Sequence, residues 1–284
     1  MIDRITPIHD RDDPRVAAYL NQKDAWLRAA HQPDAPAAST PTGMDHGRFM
    51  AEGALVVEHL LASDYPVESV LVSEHRVGAL SDLLARVPEG VPVYAAPRPV
   101  LGSIVGFDLH RGLLACGLRP PPRDPADLAR ASRALIVLEE LSNHDNIGSV
   151  FRSAAVLAGE GVGVLLGPRC CDPLYRKALR VSMGHALRIP FATVKDWASG
   201  LEQIRSLGFG LLAMDPRPDA VPIDRIEPPA RPALIFGAEG PGLSDGVRAL
   251  VGRSVVIPQA PGVDSLNIAV AAAVAIHRLI PPVG

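Results

Sequence analysis

The stretch E-E-L-S-N-H-D-N-I-G-S-V-F-R, Glu139 to Arg152, follows an unbroken apolar run, A-L-I-V-L, Ala134 to Leu138. A short run without alternation reads as a strand buried on both faces, the mark of a parallel sheet with covers on each side. The polar cluster after it then sits where such a strand ends and a helix begins. A helix start offers unpaired N–H groups and the positive end of the helix dipole. Asn146 is placed to cap that helix, and Gly148 lets a ligand or another segment approach closely. Arg152 stands one helical turn beyond Gly148, within reach of the same loop. A plain cap followed by a solvated arginine explains these residues equally well when they are taken alone.

Two further segments stand in the same kind of place. F-G-A-E-G-P-G-L, Phe236 to Leu243, follows the apolar strand expected at Ala233 to Phe236. Its glycines suit a loop that wraps a flat ligand with main-chain groups, while Glu239 supplies an acceptor. It is not a dinucleotide fingerprint, whose G-x-G-x-x-G belongs to the first strand–helix turn. D-S-L-N-I-A, Asp264 to Ala269, opens a helix expected from Ser265 to Ile280, with Ser265 as its cap and Asn267 in its first turn. That helix is almost wholly apolar, which predicts burial on all sides. In an α/β protein, three loops at strand ends on one sheet edge are where a site is built.

The remaining pattern predicts two domains, as the length of 284 residues suggests. Residues 1–47 read as a helix from Asp13 to Ala30 followed by a connector holding Pro33, Pro36 and Pro41. Residues 48–118 read as a small α/β unit. Its elements are a helix from Arg48, a strand Ser69–Val72, a helix near Val77–Arg86, and strands at Val91–Tyr94 and Gly112–Gly117. Residues 119–130, beginning R-P-P-P-R-D-P, form a stiff linker. Residues 131–284 hold further strands at Val162–Leu166, Gly210–Met214 and Ser254–Ile257, with helices at Ile147–Ala158, Leu174–Met183 and Trp197–Leu207.

Composition narrows the function classes. A net charge of −3 argues against a chain that coats nucleic acid by bulk electrostatics, and 4% aromatic residues against an extended base-stacking platform. No run is long and apolar enough for a membrane span, and the charged start, Met1 to Asp13, predicts no secretion. Cys116, Cys170 and Cys171 fit a reducing, cytoplasmic setting and carry no metal-binding spacing. Arg176, Lys177 and Arg180 fall on one expected helix, with at least two on one face. Such a face suits RNA phosphates, and an ordinary solvated helix would look the same.

The three loops, in this order and spacing, resemble the SpoU family of the SPOUT superfamily. The resemblance rests on Asn146, Gly148 and Arg152, on F-G-A-E-G-P-G-L, and on I-P-Q-A-P-G-V-D-S-L-N-I-A from Ile257, and it covers Ala134 to Ile280. It implies an S-adenosylmethionine-dependent methyltransferase acting on a ribose 2'-hydroxyl of structured RNA, ribosomal RNA in the first place with transfer RNA as the alternative. The implied fold is a C-terminal parallel-sheet domain with a deep trefoil knot. It further implies a homodimer and, at the amino end, a small ribosomal-protein-like α/β domain that binds substrate. On this resemblance Arg152 is the electrostatic stabiliser, with Asn146, Glu239, Ser265 and Asn267 arranging ribose and donor. Met214, Gly237, Ile257, Leu266 and Asn267 then line the donor pocket, and Arg176, Lys177 and Arg180 meet RNA. The family's proline before the motif asparagine and its aromatic–glycine pair after the first helix are missing, and neither is a catalytic group. The rival reading is an RNA- or ribosome-binding protein that keeps the fold without turnover.

Overall fold

A computed structural model of the chain describes residues 4–20, 46–106, 109, 111–260, 262 and 265–281. The chain divides into two compact units, one of residues 1–121 with Leu174–Leu187, the other of Pro122–Pro173 with Arg188–Gly284.

The first unit is built on a mixed sheet. Its strands are β1 (Ile5–Pro7), β2 (Arg48–Glu52), β3 (Val67–Ser73), β4 (Val93–Ala96) and β5 (Leu113–Leu118), in the order β1-β4-β3-β5-β2. β2 and β3 run antiparallel to β5, while β1, β4 and β3 are parallel. Between them lie α1 (Ala54–Leu61), α2 (Ser81–Ala85) and α3 (Arg98–Val105). The helix expected from Arg48 is therefore a strand followed by a helix. Gly53, at φ +88°, turns the chain between them, and Phe49, Met50 and Ala51 are buried by pairing along β5. The helix expected at Val77–Arg86 is broken into 3-10 turns at Glu74–Arg76 and Gly78–Leu80 before α2. Among the described residues of the expected Asp13–Ala30 helix, Pro14–Tyr19 forms a 3-10 segment, capped by Asp13 and ending where Leu20 turns extended. The rest of that helix, the connector to residue 45 and Asp264 lie outside the described residues.

The second unit opens with α4 (Pro125–Ala131), a helix capped by Asp124 inside the stretch expected to be linker. There follow β6 (Ala134–Leu138), α5 (His144–Ser153) with a π turn at Ala154–Ala158, and β7 (Val162–Leu166). The next helix in sequence, α6 (Arg176–Val181), belongs to the first unit. The second unit continues with β8 (Phe191–Thr193), α7 (Trp197–Ser206), β9 (Gly210–Met214), β10 (Val221–Pro222), β11 (Pro232–Phe236), α8 (Asp245–Val251), β12 (Ser254–Val256) and α9 (Ile268–Leu279). The sheet order is β10-β12-β9-β11-β6-β7-β8, with every pair parallel. All five residues of β6, β7 and β11 are buried, as unbroken apolar strands between two helical layers must be. On one face Leu135, Val137, Ala233 and Ile235 pack with Leu201, Ile204 and Val247 from α7 and α8.

Two helix starts shift from their expected places. α5 begins at His144 with Asn143 as its cap, Oδ1 accepting from Asp145 N at 2.8 Å. α9 begins at Ile268 with Asn267 as its cap, Oδ1 accepting from Ala269 N at 2.9 Å. α9 is also not buried on all sides: Ala269, Ala272, Ala275, Ile276 and Leu279 face inward, whereas Val270 and Val274 are exposed. No helix among the described residues is long and apolar enough to cross a membrane, and none of their side chains group as a metal site.

Candidate active site

The carboxyl ends of β9, β11 and β12 open onto a pocket of about 490 Å³, a size typical of small-ligand sites. Its floor and walls come from Met214, Phe236, Val255, Val256, Ile257, Ile268 and Ala271, and its rim from the loop Gly237–Gly242 and from Gln259, Ser265, Leu266 and Asn267. Met214, Gly237, Ile257, Leu266 and Asn267, the positions expected to line a donor pocket, all lie on this surface, as do Glu239 and Ser265.

The glycine-rich loop is shaped by its own backbone. Ala238 and Gly242 exchange two main-chain hydrogen bonds, each 3.0 Å. Gly237 lies against that closure: a Cβ there would overlap the Gly242 carbonyl and the Leu243 amide, so no side chain fits. Gly240 and Gly242 take positive φ, at +86° and +73°, a region open to glycine at little cost.

The three loops meet through side chains. The cap bond occupies Asn267 Oδ1, so its Nδ2 is free to donate and does so to Asn146 Oδ1 at 3.1 Å. That leaves Asn146 Nδ2 as a donor, and it binds the Glu239 carboxylate closely. Orientation thus passes from a helix cap through two amides to one carboxylate. Asn146 is buried, because it stands in the first turn of α5 with its side chain turned to the loops, while Asn143 does the capping. Glu239 is exposed and forms no ion pair with a described residue.

Arg152 is exposed on α5 and makes no hydrogen bond or ion pair with a described residue. It is not part of the pocket wall. Arg176, Lys177 and Arg180, expected beside the site, lie on α6 in the first unit, where Ala178 and Leu179 are buried and Arg176 approaches Glu52 at 3.9 Å.

The structure adds residues that sequence reading missed. Asp215, buried just after β9, pairs with Arg248 of α8 at 2.8 Å, and both border the pocket. The hydrogen bond that Arg248 Nε donates to Asp215 raises the pKa of the Arg248 guanidinium further. Arg248 also meets Asp245 at 3.1 Å, so among the described residues that line the pocket Glu239 is the charged side chain with no opposite partner, an environment suited to a cationic ligand. The signal for Asp215 was a polar residue directly after the apolar strand G-L-L-A-M.

A family model described as the SpoU rRNA Methylase family matches residues 133–277, the whole region that builds this pocket. The chain belongs to that family. A protein from Mycobacterium bovis, described as an uncharacterized tRNA/rRNA methyltransferase, is 39% identical over 282 residues, covering 96% of this chain and 91% of the relative. Among solved structures, an AdoMet-bound rRNA methyltransferase from Sinorhizobium meliloti superposes with a TM-score of 0.74 at 21% identity, over 97% of each chain. A protein described as an RNA 2'-O ribose methyltransferase superposes with a TM-score of 0.71 at 21% identity, over 96% of this chain and 97% of that one. At such identity the superpositions establish the SpoU fold, a parallel-sheet α/β architecture.

Proposed function

We propose that this SpoU-family chain transfers the methyl group of S-adenosylmethionine to a ribose 2'-hydroxyl of ribosomal RNA. The observation that carries the reading is the chain Asn267–Asn146–Glu239, which ties three separate loops together at the rim of the pocket. The pocket fits the donor. It has apolar walls for a flat base, main-chain groups at the glycine loop and one unbalanced carboxylate facing a ligand that carries a sulfonium charge. When bound, the donor supplies an electrophilic methyl group, so the protein's task is positioning and charge.

Met214, Gly237, Ile257 and Leu266 would hold the donor by shape. Asn146 and Asn267 hold Glu239 in one orientation, where it can accept a hydrogen bond from the ribose. The guanidinium of Arg152 offers only donors and no acceptor, which makes it a stabiliser of the developing alkoxide or of a neighbouring phosphate rather than a base. It is exposed and has no hydrogen-bond or ion-pair partner among the described residues, which suits the guanidinium to that contact. Ser265, exposed at the rim, is placed to meet ribose or donor. Arg176, Lys177 and Arg180 serve RNA phosphates from the first unit, which acts as the substrate-binding domain.

Active protein is a homodimer in this reading. Val270 and Val274 stand four residues apart on α9, 50% and 38% exposed, and Val156 on the adjoining π turn is 65% exposed. Three exposed valines on two packed helical segments suit a second copy. The family fold further implies that the chain threads a trefoil knot around the pocket.

Calorimetry tests the donor: S-adenosylmethionine is expected to bind with a Kd on the order of micromolar, about −8 kcal/mol, and a dinucleotide not at all. Transfer of labelled methyl to ribosomal RNA, with the modified position resisting alkaline hydrolysis, tests the acceptor. Arg152→Ala should keep donor binding and abolish transfer; transfer at near wild-type rate would remove Arg152 from the site.

A further inference from the structure

A carboxylate buried at the end of a central strand is costly unless several donors hold it. Glu139 is such a group, 4% exposed and directly after β6. By strand alternation its side chain lies on the sheet face that carries Leu135 and Val137, against α7 and α8. An apolar residue would fill that place at less cost. Three donors converge on Glu139 instead: Trp197 Nε1 on Oε1 at 3.1 Å, Ser244 N on Oε2 at 2.9 Å, and Ser244 Oγ in a close contact with Oε1.

Ser244 is the residue immediately after the glycine-rich loop and the cap of α8. The Glu139 backbone N–H meanwhile donates to Phe236 O at 2.9 Å, at the residue immediately before the loop. One residue therefore grips both ends of Gly237–Leu243. Between those ends Glu239 is exposed and followed by Gly240 and Gly242 at positive φ, and it is held by the Ala238–Gly242 bridge and the Asn146 contact.

We propose that Glu139 is a positioning residue that fixes Glu239 on Asn146 by clamping both ends of the loop between them. Its importance for turnover rests on the methyltransferase reading above; the clamp itself does not. Glu139→Gln keeps the size and removes the charge. A single amide oxygen cannot serve both Ser244 N and the two donors on Oε1, and the amide NH2 faces a donor on one side.

The test has two independent arms. In the ligand-free protein, Glu139→Gln should move the Asn146 side-chain amide resonance toward its position in Glu239→Gln. It should also raise hydrogen exchange at Ala238, Gly242 and Ser244 by about tenfold or more, with β6 and β11 unchanged. In the kinetic arm, Glu139→Gln should lower kcat at saturating donor and RNA by about tenfold or more. The double variant with Glu239→Gln should fall no more than about threefold below Glu239→Gln alone, because both changes remove one function.

An unmoved Asn146 resonance with unchanged loop exchange overturns the clamp, and so do kinetic losses that multiply in the double variant. Ser244→Ala removes one arm of the clamp, keeps the Glu139 charge and should give the same changes in weaker form. It decides the matter if Glu139→Gln fails to fold. If the wild-type protein moves no methyl group, the functional reading falls, while the resonance and exchange data still decide the clamp.

Discussion

Replacing Asn146 by alanine should separate stability from turnover. The substitution deletes one hydrogen bond to the Glu239 carboxylate and one from Asn267. Both partners are exposed and recover water, so each loss costs about 0.5–1.5 kcal/mol, less a few tenths regained from alanine's helix propensity in the first turn of α5. The sum is about 0.5–2.5 kcal/mol. For a unit of roughly 150 residues each kcal/mol lowers Tm by about 2–4 °C, which gives a fall of about 1–10 °C. Turnover should suffer far more. With Asn146 gone, Glu239 has no side-chain tether and Asn267 points at solvent, and misplacing such a group costs on the order of 100-fold in rate, about 2.7 kcal/mol. Labelled methyl transfer at saturating donor and RNA, read beside a thermal melt, measures both quantities. A kcat within about threefold of wild type would show that the amide chain does not organise catalysis. A Tm loss beyond about 15 °C would show that it is a structural strut.

Gly237→Ala should abolish donor binding by calorimetry, because its Cβ overlaps the backbone that closes the loop and the pocket wall must move; binding within about threefold of wild type would refute that account of the loop. Cys171 is held at a pKa of about 12, pushed up first by burial and then by Cys170. The folded state therefore keeps a proton that the unfolded chain releases near pH 8.5, so this contribution to stability is intact below about pH 8.5 and fades as pH rises toward 12. Thiol-reagent kinetics at pH 8 should show native Cys171 reacting about a thousandfold more slowly than the unfolded thiol, and equal rates would contradict the burial. Val270→Asp together with Val274→Asp should leave a folded monomer in sedimentation experiments, whereas an unchanged dimer would place the interface elsewhere.

What the sequence disclosed follows the range of each interaction. β6, β7 and β9 keep their expected limits, because burial on both faces writes itself into an unbroken apolar run. β2 does not: Arg48–Glu52 carries a mixed pattern that suits a helix until Leu114–Leu118 supplies its partner. α4 was hidden for a similar reason. The prolines before it suggest a linker, yet Pro125 sits in the first helical turn, where its missing N–H costs nothing.

The asparagines show the same limit at the site. Asn143 and Asn146 are equally good caps on local grounds, and so are Ser265 and Asn267. The choice falls to tertiary partners. Asn146 enters the helix because Glu239, 93 residues away, takes its amide, and Asn143 is left to satisfy the exposed N–H groups. Asn267 does both jobs at once, and only because its oxygen and its nitrogen face different loops. Swapping it for aspartate would keep the cap and turn the other arm from donor to acceptor. Asn146 would have to flip to donate to it, turning its own oxygen toward the Glu239 carboxylate. The order of donors along the three loops is thus set from the α9 cap outward, and a local pattern of polar residues cannot encode that direction.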